Sequence, residues 1–245
     1  MRGIPAISLQ NGLGNRLLAA TPPADLNLLA PYTQKTSFDL DTVLVRTGDE
    51  FKLVYFPLSG AIAFLVEMSD GRIVASTLMG SEGAVGALSV LSPSRSPVTA
   101  TAYVLGAALQ VPVSQLQLAY EQSDTIRRVL RLHLRTQLLQ LNNAAACNAV
   151  HPVECRMARW LLEIHDHTAE SGIQLTHEAL AQLLGVRRTT VTLTMGRLQA
   201  AGGVLSDRRG MLDIDRRRLE KIACECYAVM RHRIKRMYDK ELVAA

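Results

Sequence analysis

The stretch from Thr176 to Leu198 constrains this chain more than any other. It reads Thr-His-Glu-Ala-Leu-Ala-Gln-Leu-Leu-Gly-Val-Arg-Arg-Thr-Thr-Val-Thr-Leu-Thr-Met-Gly-Arg-Leu. Thr176 is placed to cap a first helix running through Leu184, and Gly185 supplies the left-handed residue that ends it. A second helix is expected from near Arg187 to about Ala200. Two short helices joined by so tight a turn must cross closely, which needs a small residue at the crossing; Ala181 provides it. Leu180, Leu184, Val191, Met195 and Leu198 are the expected contacts between them. This is the helix-turn-helix pattern.

The composition of the second helix gives the pattern a chemistry. Arg187, Arg188, Thr189, Thr190 and Thr192 open it, all hydrogen-bond donors and none acidic. Arginine grips guanine bidentately, and threonine donates, accepts or meets a thymine methyl. A purely structural helical hairpin would more often carry Glu and Lys on that face. Downstream, Val204-Leu205-Ser206 and Met211-Leu212-Asp213-Ile214 flank Asp207-Arg208-Arg209-Gly210, a small hairpin tipped with two arginines. Such a wing suits Arg208 and Arg209 to DNA phosphates beside the groove. Charge agrees. Residues 151–245 hold sixteen Lys and Arg against twelve Asp and Glu, whereas the first 150 hold eleven against ten. Double-stranded DNA is the expected partner. The alternative is a small-molecule- or partner-binding module with a vestigial helix-turn-helix.

Upstream the texture differs. With 245 residues, 48 % of them apolar, the chain is sized for two domains and far from disorder. Between about residues 36 and 113, short apolar runs alternate with turn signals. Ser69-Asp70-Gly71-Arg72 stands between Ala61–Glu67 and Ile73–Leu78 as a hairpin cue. Strands this short with no helices between them indicate an antiparallel barrel or roll. Before them, Thr21 is expected to cap a short helix starting at Pro22, with Leu26, Leu28 and Leu29 on its apolar side. After them, a helix is expected from about Ser123 to Ala149. Ile126, Leu130, Leu134, Leu138 and Leu141 form an apolar stripe along it. Arg127, Arg131 and Arg135 make a like-charged ladder on another face. A helix this long with such a stripe is expected to pack against its own copy, making a homodimer. The alternative is a helix lying on its own roll. A further helix, Val153–His165, carries Met157, Trp160, Leu161 and Ile164 on one face.

Taken together, these motifs resemble the Crp–Fnr superfamily of bacterial transcription regulators. The resemblance rests on Asp70-Gly71-Arg72 in a barrel hairpin, Gly83–Leu88, the long helix, residues Val153–Leu162 and Thr176–Leu198. It covers most of residues 17–215. It implies an α+β fold in three parts. Residues 1–120 would form an antiparallel β-roll (jelly-roll-like) sensor with an N-terminal helix, 121–150 a dimerisation helix, and 151–245 a winged helix-turn-helix. It also implies a homodimer on a near-palindromic operator and RNA polymerase as a partner. By similarity Arg188 and Thr189 take base-reading positions and Thr176 a phosphate contact. Leu193 departs from the pattern, standing where better-known members carry a basic base-reader.

The sensor also departs. Cyclic-nucleotide members hold ribose and phosphate with a Gly-Glu-Leu run and a later Arg-Ser/Thr-Ala run. Here those runs read Gly86-Ala87-Leu88 and Arg95-Ser96-Pro97. Ala87 cannot accept a ribose hydroxyl and Pro97 lacks a backbone donor, so cAMP is not expected. Gly86, Leu88, Arg95 and Ser96 remain the positions for an unidentified small-molecule effector. An iron–sulfur cluster is not expected, because no cysteine precedes Cys147. A cupin-like metal enzyme would need inward histidines on its strands, and all six histidines lie beyond them. No metal site is expected either. His165 and His167, like Cys224 and Cys226, are spaced i and i+2, and on a helix such residues point apart. No enzyme activity, cofactor or membrane association is expected, and the location is read as cytoplasmic. The run Arg231–Lys240 reads as a solvated basic tail.

Overall fold

The computed structural model describes residues 14–92, 94–168, 172–208 and 211–243, with side chains described for all of these except 207, 208 and 240–243. The two arginines expected at the wing tip are affected: Arg209, and the side chain of Arg208, lie outside the described residues.

The chain opens with two single-turn helices, α1 (Arg16–Ala19) and α2 (Pro23–Leu26). The buried Asn15 caps α1, accepting from the Leu17 and Leu18 amides. Thr21 does not cap the next helix as the sequence suggests. Its hydroxyl donates back to the Leu17 carbonyl (2.9 Å), and α2 starts one residue later than expected, with Pro22 in the cap position.

Seven strands follow: β1 (Gln34–Phe38), β2 (Val43–Val45), β3 (Leu53–Pro57), β4 (Ala61–Glu67), β5 (Ile73–Met79), β6 (Thr99–Val104) and β7 (Gly106–Pro112). They pair antiparallel in two sheets, ordered β1-β7-β3 and β2-β6-β4-β5. The β4–β5 hairpin turns at Asp70-Gly71, where Gly71 takes φ +80 and its amide donates to the Met68 carbonyl. Strand β4 is buried on both faces. Ile62 and Phe64 face the inside of the roll with Phe38, Met79 and Ala102. Ala61, Ala63 and Leu65 face outward into a second core shared with the C-terminal half. That double burial explains why β4 reads as a continuous apolar run without alternation.

Helix α3 (Val113–Gln122) leads into the long helix α4 (Asp124–Val150). Ser123 caps α4, accepting the Ile126 amide at 3.0 Å. The expected dimer stripe is split. Ile126 and Leu130 are sunk in the chain's own core with Leu17, Leu26, Val54 and Leu116, so they cannot meet a second copy. Leu134 is half-buried, while Leu138 and Leu141 stand 60 % and 37 % exposed. The first two turns of α4 belong to the roll. Only the later turns present an apolar face.

The C-terminal half comprises α5 (Val153–His167), β8 (Gly172–Gln174), α6 (His177–Leu184), α7 (Arg188–Ala200), β9 (Val204–Arg208), β10 (Met211–Ile214), α8 (Arg216–Ile222) and α9 (Cys226–Val243). β8, β10 and β9 form a three-stranded sheet in that order. The basic C-terminal run is not a tail but the helix α9. Arg231, Arg233, Lys235 and Arg236 are exposed as expected. The opposite face, through Ile234, Met237 and Tyr238, packs on the core that includes the start of α4. Tyr238 donates its hydroxyl to the Glu82 carbonyl at 2.8 Å, 156 residues earlier in the chain. In the sequence the charges of this run outnumber the apolar residues between them and mask their amphipathic spacing. Among the described residues no helix is long and apolar enough to cross a membrane.

Candidate nucleic-acid interface

The helix-turn-helix is built by local rules. Thr176 caps α6, its hydroxyl oxygen accepting the Ala179 amide at 3.1 Å. Gly185, at φ +64, ends it, and the Val186 amide closes the turn on the Ala181 carbonyl. Leu180, Ala181, Leu184, Val191, Met195 and Leu198 are all buried, as the spacing predicts. Burying that face leaves the other face of α7 outward.

The outward stripe is Arg188, Thr189, Thr192, Leu193 and Gly196, all exposed, with Arg187 exposed at the cap. No acidic residue lies in the first turn of α7. The N-terminal end of a helix favours negative charge, and the two arginines add to that preference. Thr192 is partly committed: its hydroxyl lies 3.2 Å from the Arg188 carbonyl and 3.1 Å from His177 Nδ1. Thr190 is half-buried beside the stripe, its carbonyl accepting from the Thr194 hydroxyl. Leu193 is 70 % exposed, the largest apolar group on this face. In the sequence His177 stands near His165 and His167 as a loose metal-type cluster, not as part of the DNA-facing surface. Its role as a partner of Thr192 depends on the crossing angle of two helices, which no local pattern reveals.

The helix-turn-helix sits against the roll. A groove of about 730 Å³ runs between the β4–β5 hairpin and the turn, lined by Asp70, Arg72, Glu178, Gln182, Arg187 and Arg188. The Asp70 carboxylate is already answered. The backbone amide and guanidinium of Arg72 hold it below the usual carboxylate range, so it is not a free partner for Arg188. A second cavity, about 310 Å³, lies between β5, α4, α5 and α9, with Arg16, Glu82, Trp160, His167 and Arg231 on its walls.

Two of the four effector positions, Arg95 and Ser96, already have partners within the chain. Gly86 holds φ +88 against Phe51, and Leu88 is 55 % exposed. Arg95 donates to the Gly48 carbonyl (2.9 Å), and the Ser96 hydroxyl to the Val98 carbonyl (2.5 Å). The recess beside Arg95 also contains Glu50. His165, His167 and His177 are held apart. His165 faces Arg216, His167 is 3.9 Å from Glu82, and His177 meets Thr192. The helical argument against Cys224 and Cys226 fails, because Cys224 lies outside α9, in the non-helical joint after α8.

A roll of seven antiparallel strands, a long connecting helix and a helix-turn-helix followed by a β-wing define a class: a regulator with a sensor-type roll and a DNA-reading domain. Two family models agree, "Cyclic nucleotide-binding domain" over residues 35–123 and "Crp-like helix-turn-helix domain" over 155–222. The chain is 26 % identical over 208 residues to the "CRP-like cAMP-activated global transcriptional regulator" of Mycobacterium tuberculosis, covering 82 % of this chain and 93 % of that one. It is also 26 % identical over 181 residues to the "Global nitrogen regulator" of Synechocystis, covering 70 % and 80 %. Among solved structures, FixK2 from Bradyrhizobium japonicum shares the fold with a TM-score of 0.67 at 19 % identity, over 78 % of this chain and 98 % of that one. The chain is a DNA-binding transcription regulator of the Crp–Fnr type.

Proposed function

We propose that this regulator acts as a homodimer on a near-palindromic stretch of double-stranded DNA, reading base edges with the first turns of α7. One observation carries the reading. Arg187, Arg188 and Thr189 stand exposed at the acid-free start of a helix whose opposite face is fully buried. Arg188 and Thr189 read bases, Thr192 and Leu193 extend the contact, and Thr190 lies at its edge. The Thr176 hydroxyl, whose oxygen is used for capping, keeps its proton for a phosphate. Arg208 and Arg209 grip phosphates from the wing. Two such helices in a dimer would lie one turn of DNA apart, ~34 Å.

Work on promoters in the cytoplasm brings RNA polymerase as a partner and calls for no catalysis by this chain. Neither cAMP nor an iron–sulfur cluster belongs to this reading. Ala87 and Pro97 stand where the cyclic-nucleotide runs need a carboxylate and a backbone donor, and Glu50 would repel a phosphate at Arg95. An unidentified small effector is better served by the cavity between the roll and α5, where Arg16, Trp160 and His167 would let it bear on both halves.

The experiment is a mobility shift on the DNA upstream of the protein's own gene, with salt varied. A retarded complex that weakens steeply as salt rises is expected, since each phosphate contact releases counterions. No salt-sensitive binding at any protein concentration would overturn the reading.

A further inference from the structure

Four side chains that DNA reading leaves unused meet where the long helix ends. Cys147 and His151 are one turn apart at the end of α4, with the His151 amide donating to the Cys147 carbonyl at 3.0 Å. Cys224 lies in the joint after α8, and Cys226 opens α9. Cys147 Sγ is 3.6 Å from Cys224 Sγ, and Cys226 Sγ is 3.7 Å from His151 Nδ1. All four donor atoms lie within 4.8 Å of one another. The three thiols are buried and the histidine half-buried.

Packed thiols alone would need no imidazole nitrogen among them. A tetrahedral ion with metal–sulfur bonds of about 2.3 Å spaces its sulfurs about 3.8 Å apart, close to what is seen. An iron–sulfur cluster spreads its thiolates around several irons and does not fit so tight a set. Two further observations point to an ion. His151 Nε2 is 3.2 Å from the Glu225 carboxylate, which fixes the tautomer that leaves Nδ1 bare. Arg156 and Arg159 lie within electrostatic reach of Cys147 and Cys224. Arg159 is only 4 % exposed, yet among the described residues its Nε and Nη2 have no hydrogen-bond partner, nor has Arg156 Nε. Such donors are costly to bury unanswered. Three thiolates and an imidazole on a divalent ion carry a net charge of −1, which these arginines would balance.

We propose that Cys147, His151, Cys224 and Cys226 bind one zinc-class divalent cation in a tetrahedral three-sulfur, one-nitrogen site. Binding displaces three thiol protons to solvent, and no electron changes hands. The ion ties the end of the long helix to the joint ahead of α9, so it fixes how the DNA-reading half is held on the roll. Four ligands fill its coordination, which makes it a structural clasp with no open position for chemistry. The site stands on the fold alone and does not depend on the DNA-binding reading.

The test uses the full-length protein, stripped with a chelator under reducing conditions and titrated with Co²⁺. One equivalent per chain is expected. It should show the visible bands of a tetrahedral ion and a near-ultraviolet thiolate-to-cobalt band, all displaced by Zn²⁺. Cys155→Ser, at a sulfur outside the set of four, should keep the full spectrum. Cys226→Ser should lose the tetrahedral bands, and Glu225→Gln should weaken binding roughly tenfold. Wild-type protein with native circular dichroism and four titratable thiols that takes up no Co²⁺ would overturn the proposal. So would two thiols where four are expected, meaning a Cys147–Cys224 disulfide, or an unchanged cobalt spectrum in a folded Cys226→Ser protein.

Discussion

Tyr103 on β6 donates its hydroxyl to the Gln182 side chain on α6 at 2.5 Å, a direct hydrogen bond between the sensor roll and the helix-turn-helix. Burial raises the phenol's pKa, so it remains a protonated donor throughout the physiological range. Around it, Ala63 and Ala75 of the roll share a core with Leu180, Ala181 and Leu184. Their small side chains let α6 approach the sheet closely. Tyr103→Phe keeps the ring and removes the bond. It should cost about 1 kcal/mol and speed amide exchange over residues 180–186 while leaving β4 unchanged. Hydrogen-exchange mass spectrometry reads both. Equal exchange in the two proteins would mean that the apolar seat alone holds α6.

Arg188 and Leu193 share one face of α7 but offer different chemistry, so their substitutions should differ. Arg188→Ala should cost about 1–3 kcal/mol at one base pair and relax the preference there. Leu193→Ala removes an apolar contact suited to a thymine methyl, and its smaller loss should fall at a different position. Competition binding with singly substituted operators separates them. Losses spread evenly over all sequences would make both residues phosphate neighbours and move base reading elsewhere on α7.

The helix-turn-helix was legible because its determinants are local. A threonine cap, a glycine with positive φ and leucines at helical spacing are written within twenty-five residues. The β4–β5 hairpin was legible for the same reason. Apart from the local cap at Thr21, whose hydroxyl turns back to Leu17, what the sequence hid was distant contact. The stripe on α4 reads as one feature, yet Ile126 and Leu130 are covered by residues more than sixty positions upstream, among them Leu17, Leu26 and Val54. The run Arg231–Lys240 looks solvated because its charges outnumber Ile234, Met237 and Tyr238, which settle its fate. Cys147 and Cys224 are 77 residues apart, so their meeting has no periodic trace.

His133 carries a pH dependence that can be worked through. It is fully buried on α4 with Nε2 3.0 Å from the Ala84 carbonyl, and burial pushes its pKa down to about 4. Glu82 nearby acts in the opposite direction and is outweighed. In the unfolded chain the imidazole titrates near its ordinary value of about 6.5. Between the two values the unfolded state binds more protons, so stability rises with pH. The full contribution is present above about 6.5, and roughly 3 kcal/mol is lost by the time pH has fallen to about 4. Urea unfolding at pH 5 and pH 7 should show this limb. His133→Gln, which keeps a donor for Ala84 but cannot titrate, should flatten it at some cost in packing. The same slope in both proteins would assign the effect to another group.

The split stripe on α4 gives the sharpest test of dimerisation. Leu134, Leu138, Leu141 and Ala145 recur at spacings of four and three on one side of the helix. Leu138 and Leu141 are too exposed to contribute much to the single chain. Apolar groups repeated in this way pack against an identical helix. Leu138→Asp should therefore give a monomer by analytical ultracentrifugation while the circular dichroism stays native, because the chain's own core does not contain this side chain. Leu130→Ala should do the reverse. Its side chain is 3 % exposed among Leu17, Leu116 and Ile126, so truncation should cost about 2–5 kcal/mol in stability. Dimerisation should persist, since the later turns of α4 are untouched. A dimer that survives Leu138→Asp and Leu141→Asp together would place the interface away from α4. The long helix would then serve only to space the two halves of one chain.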